Sequence, residues 1–85
     1  MPHSRSLKAK RAVIKPILEV ARQRYAVAAA EVAHQDLWQR AGLGLAAVAS
    51  TVGHVDEVLD QVERYIWSNP DVEVVGCERR WLDPA

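Results

Sequence analysis

YAVAAAEVAHQDLWQRAGLGLAAVA, residues 25–49, is the stretch on which the fold turns. By propensity alone, the alanines at 26, 28, 29, 30, 46 and 47 favour helix. The pattern says otherwise. No helical stripe ends sensibly within residues 25–34, and the polar step His34-Gln35-Asp36 breaks the run before a second extended run, residues 37–49, that carries Gly42 and Gly44. We read a β-hairpin, whose small side chains point to a sheet face closely covered by helices.

The flanks supply those helices. Upstream, Leu7, Val13, Ile14, Ile17, Leu18, Ala21 and Tyr25 recur at three, four and seven spacing, which predicts a helix over residues 7–24 with Ser6 as N-cap. Ala9 stands where a capping box would place Glu or Gln. Pro16 removes one intrahelical N–H and should bend the helix on its solvent side, opposite Ile14 and Leu18. Downstream, Val55, Val58, Leu59, Val62, Tyr65 and Ile66 form a cleaner stripe, beginning after Ser50-Thr51-Val52-Gly53 and stopping at Ser68-Asn69-Pro70. Residues 72–82 then read as a closing strand, with Gly76 as a bulge and Trp81 packing against it. The expected order is αββαβ.

At 85 residues the chain has room for one small core. Its hydrophobic fraction of 49% argues against disorder, and no apolar run is long enough to span a membrane. The single Cys77 cannot close an internal disulfide, and no signal peptide is visible, so cytoplasm is the default compartment. A formal net charge of zero hides an asymmetry. Residues 1–25 hold seven cations against Glu19 alone, a net +6, and the remainder carries −6.

αββαβ is the split β-α-β order of ferredoxin-like folds without its first strand. The stretch Ser4-Arg5-Ser6-Leu7-Lys8-Ala9-Lys10-Arg11, then Ala30-Glu31-Val32, then Asp36-Leu37-Trp38-Gln39-Arg40-Ala41, and the ending Glu78-Arg79-Arg80-Trp81-Leu82 together resemble the YlxP-like family of small bacterial proteins. Ala9 departs from that family's usual Glu. The resemblance implies a single α+β ferredoxin-like domain with a four-stranded antiparallel sheet of order 4-1-3-2, whose central first strand is not in this chain. The expectation that goes with it is a natural start upstream of Met1. The resemblance also implies a ribosomal direction, because genes of such proteins often lie among those for translation initiation and ribosome maturation; that is an association and not a mechanism.

Chemistry-bearing residues are sparse. His3, His34, His54 and Cys77 show none of the spacings that gather metal ligands or pair a thiol with a base, so neither an enzyme, a metal nor a cofactor is expected. Cys77 reads as a small buried hydrophobe. Gly42-Leu43-Gly44 lacks the second half of either phosphate-loop fingerprint. Glu31 could pair across the hairpin with Gln39 or Arg40.

Helix 1 carries the clearest functional pattern. Lys8, Arg11, Lys15 and Arg22 fall within an arc of ~60° beside the apolar face, a row of flexible cations suited to phosphates. The plain alternative is a solvated face paired with Asp56, Asp60 and Glu63 on the second helix. Strand residues 43–48 offer no aromatics for base stacking, so RNA contact would be to backbone and shape. Trp38 either anchors an interaction, with Arg40 as a secondary patch, or packs under the turn, and Trp67, off its helix's apolar arc, either covers the helix end or marks a contact surface. The reading is a non-enzymatic protein that binds ribosomal RNA or a ribosomal subunit through helix 1. The competing reading is a protein-interaction or homo-oligomerisation module in which the stripe only solubilises. A small-ligand sensor of this topology finds no distinctive pocket signal.

Overall fold

The computed structural model describes residues 6–82, in the order α1 (Leu7–Arg24), β1 (Ala28–Ala33), β2 (Gly42–Ala46) and α2 (Val52–Trp67). Helix α1 begins where the cap predicts: Ser6 Oγ accepts the Ala9 N–H at 3.0 Å. It runs unbroken through Pro16, which lies on the exposed side, so the Ala12 carbonyl that loses its N–H partner belongs to a residue open to solvent. α2 starts at Val52, within the stretch read as a turn, because the Thr51 hydroxyl accepts the His54 N–H at 3.2 Å and caps it there.

The alanine-rich stretch is a hairpin. β1 and β2 pair antiparallel, with Ala29 opposite Leu45 and Glu31 opposite Leu43, and the register shifts between Glu31 and Ala33, so that Ala33 faces Gly42. This crowding explains the glycines. A Cβ on Gly42 would lie 2.7 Å from the Ala33 Cβ, and one on Gly44 would lie 3.0 Å from Val32 Cγ1. Tertiary packing overrides the alanines' helical preference, since Ala29 is buried in the core with Ile14, Leu18, Ala21, Val27 and Val62, flanked by Leu43 and Leu45. Both helices therefore cover one face of the sheet. Tyr25 and Tyr65 meet at its margin with ring centroids 6.0 Å apart.

Two expectations are corrected. The second extended run does not begin at Leu37; residues 34–41 form a loop and β2 starts at Gly42. The closing strand is not formed either. Residues 72–82 carry no strand, so neither the Gly76 bulge nor packing of Trp81 on a strand exists, and Trp81 is exposed. A strand exists only where its backbone pairs with another, and residues 72–82 pair with neither edge of the hairpin; Arg79 ties their segment to α2 instead. What the described residues form is a small α+β unit with a two-stranded antiparallel sheet. Met1, where the upstream-start expectation falls, lies outside the described residues.

Candidate functional site

The basic stripe is built by helical spacing alone. Lys8, Arg11 and Lys15 are all exposed on α1, and among the described residues none has a carboxylate within ion-pair distance. Arg22 differs. Its Nε and Nη2 donate to the Ala29 carbonyl at 3.0 and 2.6 Å, fastening the end of α1 to β1. The outward row of cations thus reduces to three.

The carboxylates expected to neutralise that row are engaged elsewhere. Asp56, Asp60 and Glu63 all face Arg79, whose guanidinium lies 2.5, 2.7 and 2.5 Å from them. Charge pairing therefore joins α2 to the C-terminal segment, not α2 to α1. Cys77, expected to be buried, is exposed. The neighbouring Glu63 carboxylate pushes the thiol's pKa up, and the thiol together with Arg79 holds the Glu63 carboxyl below the usual carboxylate range. The same carboxylates raise the Arg79 guanidinium further.

A second feature was not read from the sequence. Lys10 is 1% exposed, and its Nζ donates to the His34 and Leu37 carbonyls at 2.8 and 2.7 Å, and more weakly to that of Gln35 at 3.5 Å. Glu31 Oε2 lies 2.6 Å from the same nitrogen. No N–H is aimed at that oxygen in hydrogen-bond geometry, so the contact is an ion pair while the carbonyls take the directed protons. Glu31 thus pairs with α1, not across the hairpin with Gln39 or Arg40. His34 adopts a positive φ of 60°, a conformation histidine tolerates better than most side chains, and its carbonyl also accepts the Leu37 N–H at 3.0 Å. Gln35 closes the loop's other side by donating to the Glu31 carbonyl at 2.9 Å. The signal for this collar was present in the sequence. Lys10 stands four and seven residues before Ile14 and Ile17, on the buried arc of α1.

This loop carries Trp38, 38% exposed, and the exposed Arg40. Trp67 is 58% exposed and lines a shallow groove of about 410 Å³ with Asp60, Glu63, Arg64 and Ser68, on the side of α2 that its spacing predicts. Among the described residues, no group of three or more histidine, cysteine or carboxylate side chains is placed to hold a metal, and no helix is long and apolar enough to cross a membrane.

Cations in a row on one helix, and a lysine-braced loop presenting an aromatic, are the features to be matched with known proteins. The family described as "Protein of unknown function (DUF503)" matches residues 1–79, and the chain belongs to that family. It is 38% identical over 77 residues to "Uncharacterized protein YlxP" of Bacillus subtilis (strain 168), an alignment that covers 91% of this chain and 84% of that protein. The resemblance carried by Ser4–Arg11, Ala30–Val32 and Asp36–Ala41 is therefore one of common family. No solved structure matches the chain.

Proposed function

We propose that this protein is a non-enzymatic RNA-binding protein of the cytoplasm that contacts the phosphate backbone of structured RNA, ribosomal RNA first, through Lys8, Arg11 and Lys15. One observation carries the reading: these three side chains are exposed with no carboxylate partner among the described residues, while the acidic stripe of α2 is engaged by Arg79. Free lysine and arginine heads on one rigid helix attract a polyanion and release its counterions. They read no sequence by themselves. The scaffold we propose for this surface is the ferredoxin-like split β-α-β sandwich that the family resemblance implies. Co-sedimentation with ribosomal subunits tests the reading. The triple variant Lys8→Glu/Arg11→Glu/Lys15→Glu should leave the ribosomal fraction with its fold intact by circular dichroism, and its retention there at wild-type level would refute it.

A protein-interaction or homo-oligomerisation role has its own support in exposed apolar side chains on and beside the hairpin, with Val32 63% and Val48 98% exposed, and in a two-stranded sheet with open edges. Under that reading, sedimentation of the pure protein shows concentration-dependent dimers and charge reversal on α1 changes nothing.

A further inference from the structure

We propose that the Lys10 collar is a positioning device for RNA recognition. By bracing residues 34–37 it holds Trp38 as a fixed platform for one unpaired base and Arg40 as a contact for a neighbouring phosphate. The inference rests on the RNA reading above and narrows its ligand class to RNA with exposed, unstacked bases.

The bracing has three parts. A lysine ammonium removed from water is costly unless its protons find acceptors, and here the acceptors are loop carbonyls 24 and 27 residues along the chain. Glu31 balances the charge at 2.6 Å. His34, at φ 60°, is held in an uncommon backbone conformation by two donors on its carbonyl, from Lys10 and Leu37. A solvent-exposed loop needs none of this merely to connect two strands, since two to five residues suffice for a hairpin and residues 34–41 exceed that. The result is a half-exposed indole whose backbone is fixed at the residue before it, next to a guanidinium two residues on. Indole faces stack on any base, and a platform ordered before binding avoids the entropy of ordering it afterwards. The strands supply no aromatic for this purpose, so the loop is where a base is stacked.

The test is a fluorescence titration with two probes, an RNA hairpin bearing an unpaired purine loop and a fully paired RNA duplex of the same length. Wild-type protein should prefer the looped probe, and Trp38→Ala should bind it about tenfold more weakly and lose the preference. Lys10→Met should lose a comparable factor, and Lys10→Met/Trp38→Ala no more than either alone, because both act on one contact. With Trp67→Phe/Trp81→Phe as background, the looped RNA should quench Trp38 in the wild-type loop and not in Lys10→Met. If Lys10→Met fails to fold, Glu31→Gln, which leaves the carbonyl bonds in place, should show the same losses in smaller measure. Equal binding of both probes, or independent and additive losses at positions 10 and 38, would overturn the proposal. If charge reversal on α1 abolishes binding while these variants leave it unmoved, the collar proposal falls and the RNA reading stands. If the wild-type chain binds neither probe, both fall.

Discussion

Replacing Lys10 by Met should be the most damaging single substitution outside the aliphatic core. Met fills a similar volume, so the change removes charge and protons with little loss of packing. It leaves the Glu31 carboxylate, 19% exposed, without its cation, and it strips one donor from each of the His34 and Leu37 carbonyls. Breaking a buried pair by removing one partner costs about 3 to 5 kcal/mol. Glu31 keeps some hydration, and the His34 carbonyl retains the Leu37 N–H, which sets the figure near the lower end, about 3 kcal/mol. For a domain of this size that corresponds to a melting temperature lower by roughly 12 to 24 °C. Glu31→Gln should cost less, about 1 kcal/mol, because Lys10 keeps its two short carbonyl bonds. Urea unfolding followed by far-UV circular dichroism measures both. A Lys10→Met midpoint within about 0.5 kcal/mol of wild type, or a larger loss from Glu31→Gln than from Lys10→Met, would refute the assignment of Lys10 as the brace.

The C-terminal segment gives two further tests. Arg79→Ala should destabilise the chain by about 1 kcal/mol at neutral pH, as expected for a partly exposed ion network. Because the folded state lowers the Glu63 pKa, this contribution is present above the ordinary carboxylate range and is lost as pH falls through the lowered value, so wild type and variant should converge in acid. A difference that is the same at pH 7 and pH 3 would contradict the network. Cys77, although exposed, should alkylate more slowly than a free thiol at mildly alkaline pH, because the neighbouring Glu63 carboxylate disfavours the thiolate; Glu63→Ala should speed the reaction severalfold, and an unchanged rate would exclude that influence.

Local chemistry made much of this fold readable. Ser6 and Tyr25 bound α1 because a hydroxyl cap and the end of a periodic stripe are local features, and the end of α2 at Ser68 was legible in the same way; its start was not, since Thr51 caps a helix that already includes Val52 and Gly53, residues read as a turn because Gly53 is a poor helix former. The hairpin was recoverable despite its alanines because two runs flank the polar break His34-Gln35-Asp36 and the second carries Gly42 and Gly44, the first of which stands where a Cβ would lie 2.7 Å from the Ala33 Cβ. Residues 72–82 failed as a strand because a strand is a property of a pair, and valine alternation says nothing about whether the segment pairs with the sheet or, as here, is held to α2 through Arg79. The outward stripe of Lys8, Arg11 and Lys15 followed from angular position alone. Arg22 and Glu31 did not behave as expected because their partners, the Ala29 carbonyl and Lys10, are brought near only by tertiary packing. Lys10 was passed over because lysine is by default a surface residue, and only its place on the arc of Ile14 and Ile17 marked it otherwise.

The most direct measurement of the central claim is the salt dependence of binding to a structured ribosomal RNA fragment. If Lys8, Arg11 and Lys15 each neutralise a phosphate, the logarithm of affinity should fall against the logarithm of salt concentration with a slope of about −2 to −3, and each charge removed should flatten it by nearly one. An affinity indifferent to salt, or a slope left unchanged when all three cations are reversed, would contradict the account.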